Sequence, residues 1–88
     1  MSARVEWNNS MPTVHPMTRG RLPKKSVVWI GEIWLLLPGG EKDIRSWRSN
    51  QPISTAQART VLGQLLDLLI GEHGKDTALS SGFWCKSR

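Results

Sequence analysis

Ser26-Val27-Val28-Trp29-Ile30-Gly31-Glu32-Ile33-Trp34-Leu35-Leu36-Leu37 is a run of mostly apolar residues with one charge, Glu32, and it is closed by Pro38-Gly39-Gly40. Its reading decides the fold. Spanning a bilayer as a helix takes about twenty apolar residues, more than this run supplies. Gly31 in its middle costs a helix about 1 kcal/mol relative to Ala, and the β-branched Val27, Val28, Ile30 and Ile33 lose side-chain freedom against a helical turn. A strand over about 26–37 follows. Alternation places Val27, Trp29, Ile33, Leu35 and Leu37 on one face with Gly31, and Val28, Ile30, Glu32, Trp34 and Leu36 on the other. Both faces are largely apolar, so the strand is either covered twice or covered once with its second face offered to a partner. Gly31 beside Glu32 also admits a bulge that shifts the alternation midway. Glu32 separates these readings, because a carboxylate on a covered face needs a cation or hydrogen bonds.

Working outward, Pro38-Gly39-Gly40-Glu41-Lys42 is a turn signal, and the following Asp43–Ser49 has two readings. As a returning strand over about 43–49 it sets Arg45, Trp47 and Ser49 on one face and Ile44, Ser46 and Arg48 on the other. As a short helix it clusters Ile44 with Trp47. The hairpin is preferred, since a central strand needs a neighbour and none lies closer in sequence. Ser54-Thr55-Ala56-Gln57 has capping-box spacing and opens an amphipathic helix over about 55–70. Its apolar stripe is Ala58, Val61, Leu62, Leu65, Leu66 and Leu69, widened by Leu68 and Ile70 towards a second contact, and Gly71 or Gly74 ends it. Arg4–Asn8 and 82–86 are candidate edge strands, the second carrying Phe83 and Trp84 either docked on the core or exposed as an adhesive tail. The expected fold is α+β: a small antiparallel sheet on one helix, with residues 26–88 as the domain.

Residues 1–25 read as a basic, Pro-containing arm, extended and partly disordered apart from the strand at 4–8. The net charge is +5, and this arm holds Arg4, Arg19, Arg21, Lys24 and Lys25 against Glu6 alone. Neither MSARVEWNNS nor Cys85-Lys86-Ser87-Arg88 reads as a targeting signal, and with Cys85 as the one cysteine the expected setting is a reducing one, the cytoplasm.

The candidate contact residues fall into three groups. Arg19, Arg21, Lys24 and Lys25 form a cation run with no acid, suited to phosphates through counterion release. Arg45, Trp47 and Arg48 combine a ring with two guanidinium groups, the chemistry of a stacking platform, although packing of Trp47 in the core with both Arg in solvent is also open. Trp34, Phe83 and Trp84 are candidates for a protein interface. His15, His73 and Cys85 have no metal-site spacing, and neither a nucleophile motif nor a phosphate-binding loop occurs, so no metal, cofactor or catalytic residue is expected. The helix has Gln and Asp along its polar stripe, which argues against membrane attachment. The expected role is that of a non-enzymatic binding protein acting on nucleic acid or a nucleic-acid-processing complex, with a homodimer admitted. The alternative is a stoichiometric protein-binding inhibitor or adaptor. In size and composition the chain is similar to accessory proteins of phages and plasmids, which act by occupying a surface.

Overall fold

A computed structural model describes residues 4–8, 17–19 and 23–87, with side chains described from Pro23 onward. The order of elements is β1 (Arg4–Asn8), β2 (Met17–Arg19), β3 (Trp29–Leu36), β4 (Lys42–Arg48), α1 (Thr55–His73) and β5 (Ser80–Ser87). All pairings are antiparallel, and the strands lie in the order β2-β1-β5-β3-β4. The α+β reading holds: among the described residues there is one sheet and one helix.

The expected hairpin is β3 and β4. Its turn runs through Gly39 and Gly40, whose positive φ values of 103° and 89° are open to glycine at no steric cost. Leu37 N–H donates to the Glu41 carbonyl at 2.7 Å and closes the loop. The strand begins later than expected because Val27 leaves the sheet to pair with Ile53. Trp29 then anchors the entry into β3. Fully buried, it donates its indole N–H to the Ile53 carbonyl at 3.0 Å and its backbone N–H to Ser49 Oγ at 2.8 Å.

Helix α1 starts as expected. Gln57 N–H donates to Ser54 Oγ at 3.1 Å and Ser54 N–H to Gln57 Oε1 at 2.9 Å, the two halves of a capping box. Gly71 stays helical, and the end comes at Gly74, where φ is 96°. Ala58, Leu62, Leu66 and Leu69 are buried against Trp29, Ile33, Leu35, Phe83 and Cys85. Ile70 packs on the edge of that cluster, whereas Leu68 is 67% exposed.

Two expectations need correction. The segment at 82–86 is no edge strand: β5 runs from Ser80 to Ser87 and sits in the middle of the sheet, paired with β3 on one side and β1 on the other. Local alternation cannot reveal this, because which strands flank β5 depends on residues at least 44 positions away. β1, the other expected edge strand, is likewise internal, because Met17–Arg19 pairs with it as β2 where Pro, Asn, Ser and Gly in the surrounding stretch favoured loop. The rest of the expected arm, apart from β1 and residues from Pro23 onward, lies outside the described residues.

Gly31 marks no bulge, since the register of β3 runs unbroken past it to both neighbours. It is there for close approach. A Cβ at this position would press into the Trp84 carbonyl oxygen and lie 2.9 Å from Cys85 Cβ. Replacing Gly31 by Ala should therefore destabilise the fold by about 3 kcal/mol, as overpacking against backbone does. Thermal unfolding should show a drop of roughly 12–24 °C, and an unchanged melting temperature would show that β5 is free to move away.

Candidate functional site

Helix α1 covers only one face of the sheet. The other carries Ile30, Glu32, Trp34 and Leu36 from β3, all half-buried, so the reading in which β3 is covered once describes the structure. Cross-strand partners share a face. On β4 the partners are Arg48, Ser46, Ile44 and Lys42, and on β5 they are Lys86, Trp84, Gly82 and Ser80. Backbone register extends these rows to the outer strands, with Arg4 opposite Lys86 and Arg19 opposite Arg4. One row across the sheet thus reads Arg48, Ile30, Lys86, Arg4, Arg19. At the usual strand separation it spans roughly 19 Å.

The next rows are aromatic. Trp84 lies opposite Glu32, and its indole N–H donates to Glu32 Oε1 at 3.0 Å, which answers how the carboxylate is satisfied. Trp34 lies opposite Gly82, which places no side chain beside the ring. Trp34 and Trp84 are therefore diagonal neighbours, about 7–8 Å apart at their Cα atoms. Lys42 Nζ lies 5.6 Å from the centre of the Trp34 ring, within cation–π range. Ile44, in the Trp34 row, is 54% exposed. Between the basic and aromatic rows lies a shallow hollow of ≈ 620 Å³ bounded by Ile30, Gly31, Glu32, Ser46, Trp47, Arg48 and Trp84.

The structure sorts the residues singled out in the sequence. Arg45, Trp47 and Arg48 do not share one face of the sheet, although Trp47 and Arg48 both border the hollow. Trp47 packs against the core from the helix side, while Arg48 is on the open face. Arg45 lies on the helix side too and reaches α1, donating to Glu72 Oε2 at 2.7 Å. Phe83 does not reach the surface: it is 2% exposed, within the core. Trp34 and Trp84 do lie on the open face. Lys24 and Lys25 are exposed and lead into β3 at the end that carries the basic row. Arg19 is placed by its backbone in β2, and Arg21 lies outside the described residues. Sequence reasoning missed Lys86, Lys42 and the Glu32–Trp84 bond. The alternation of Gly82, Trp84 and Lys86 was there to be read, but the register that brings them beside β3 was not.

Two other clusters serve the fold. His73 Nε2 and Asp43 Oδ2 are 2.7 Å apart, and with Arg45 and Glu72 they tie the end of α1 to β4. The hydrogen bond from His73 holds the Asp43 carboxyl below its ordinary value of 3.8, with Arg45 adding to the effect against partial desolvation. A depressed acid stabilises the fold above its unfolded pKa, and that contribution is lost as pH falls through the folded value. The melting temperatures of wild type and Asp43→Asn should therefore differ near neutral pH and converge on acidification below about 3.8. A constant difference would mean that the pairing has no ionic component.

Burial pushes the Cys85 thiol up to about 12, so it is neither thiolate nor accessible. A disulfide reagent should leave Cys85 unmodified in the native protein and react promptly in denaturant; fast native reaction would place the thiol at the surface. Among the described residues no group of three or more His, Cys, Asp or Glu side chains is arranged to hold a metal ion, and no helix is long and apolar enough to cross a membrane.

The chain matches no protein-family model, no curated protein and no solved structure.

Proposed function

We propose that the open face of the sheet binds single-stranded nucleic acid, bases stacking on Trp34 and Trp84 while phosphates are held by Arg48 and Lys86. One observation carries this reading: two half-exposed indoles on adjacent strands occupy the two rows that follow a cross-strand row in which four of five positions are cationic. Like charges directly opposite one another on neighbouring strands cost stability. A row of them is favourable once a polyanion lies along it. The indoles lie on a sheet face, where they can stack only on unpaired bases. Lys24 and Lys25, up to six residues ahead of Ile30, extend the basic row along the chain, and the role expected for Arg19 and Arg21 is that of further phosphate contacts. The role is one of binding, without a reaction.

A second reading uses the same face for a protein partner, as an inhibitor or adaptor would, and Ile44 at 54% exposure favours it. Salt separates the two. Binding to mixed-sequence single strands should weaken steeply between about 50 and 200 mM salt, and changing Arg48 and Lys86 together to Ala should lower the slope of log K against log salt by about 1.4. Trp84→Ala or Trp34→Ala should cost about 1–3 kcal/mol of affinity, whereas Arg45→Ala, its partner being Glu72, should leave binding unchanged. Absence of binding at low salt would overturn the reading and leave the protein partner.

A further inference from the structure

A carboxylate is an unexpected group in the centre of a surface that holds phosphates. Glu32 repels the backbone of a nucleic acid, yet it sits between the basic row and Trp34, directly opposite Trp84 on one side and Ser46 on the other. Its geometry is fixed. Trp84 Nε1–H holds Oε1 at 3.0 Å, and among the described residues nothing bonds Oε2. The side chain is half-buried on the wall of the hollow that Trp84, Arg48 and Ser46 also border. A base stacked on Trp84 would present its edge to this oriented acceptor.

We infer that Glu32 reads the edge of the stacked base, accepting a hydrogen bond on Oε2 from an exocyclic amino group, so that the site prefers amino-bearing bases, cytosine above all, to thymine or uracil. This deepens the single-strand reading and rests on it. The chemistry is that of an acceptor-only group. Cytosine offers an N4 amino donor where thymine has the O4 acceptor, and carboxylates pair with the former. Thymine turns a lone pair towards the carboxylate and loses the bond. The same repulsion keeps phosphates off the centre of the face and directs them to Arg48 and Lys86, which fixes which way the strand lies. Trp84 has two tasks in this arrangement: its ring is the platform, and its N–H aims the reader.

The test compares short oligo-dC and oligo-dT near neutral pH and low salt, by quenching of Trp fluorescence, with wild type and Glu32→Gln. The wild type should bind oligo-dC about tenfold more tightly, the lower part of the range for one base-edge contact. Glu32→Gln keeps the shape and an acceptor for Trp84 but adds a donor, so the two affinities should come within about twofold of each other at an unchanged melting temperature. A probe in the unmodified protein guards against misfolding of the variant: oligomers of 2-pyrimidinone, which is cytosine without its amino group, should bind no better than oligo-dT. The ribose pair, oligo-C and oligo-U, should keep the same order, since the contact is to the base, and the tighter sugar series identifies the nucleic acid. Equal binding of oligo-dC and oligo-dT by wild type would overturn the role of Glu32 while leaving the stacking surface intact. A preference that survives Glu32→Gln, or an order that reverses between sugars, would overturn it as well. Failure of every oligomer to bind would overturn the single-strand reading itself.

Discussion

The pairing of β5 with β3 is the contact on which the rest of the molecule depends. In the order β2-β1-β5-β3-β4, β5 alone joins the hairpin to the outer strands, and it is the last strand in sequence. Its alternation runs through both sides of the sheet. Phe83 and Cys85 complete the core under α1, while Trp84 and Lys86 complete the open face. The pairing is close because Gly31 has no side chain, and the Trp84 carbonyl occupies the space that a Cβ would need. One glycine thus sets the depth at which β5 docks and the position of the indole that holds Glu32.

The path of the chain explains why, among the described residues, only one sheet face is covered. β4 and β5 are both antiparallel to β3 and hence parallel to each other, so the chain must cross over β3 between them. It does so through α1, whose nineteen residues extend about 28 Å. A single crossover covers a single face. Its ends are secured by the capping box at Ser54 and by the ties of Asp43 to His73 and Arg45 to Glu72. With no second helix among the described residues, Ile30, Trp34 and Leu36 remain half-exposed.

The open face combines three chemistries in successive rows: cations, then a carboxylate bonded to an indole, then a second indole beside a glycine. Each is ordinary alone. Charges on β4 serve an edge strand by discouraging pairing with another chain, and a tryptophan on a sheet is a common packing residue. Their order across adjacent strands gives the surface a direction, with Arg48 and Lys86 at one end and the indoles beyond them.

Much of the fold was legible because it is encoded locally. The turn at Gly39-Gly40, the capping box at Ser54 and the period of Ala58, Leu62, Leu66 and Leu69 each involve residues within a few positions of one another, and each stands as read. Alternation along β3 also separated the buried Trp29, Ile33 and Leu35 from Glu32 and Trp34, because period two is a property of the strand itself. The site was less legible. Arg45, Trp47 and Arg48 are adjacent in sequence, and the pleat of β4 sends them to opposite sides of the sheet. Lys86 and Trp84 reach Arg48 and Glu32 only through the long-range register of β5, which no local pattern specifies. By itself the sequence determined the elements and the two faces of each; tertiary structure alone decided which strands are neighbours, and therefore which side chains meet, since strand order is set by burial summed over the whole chain.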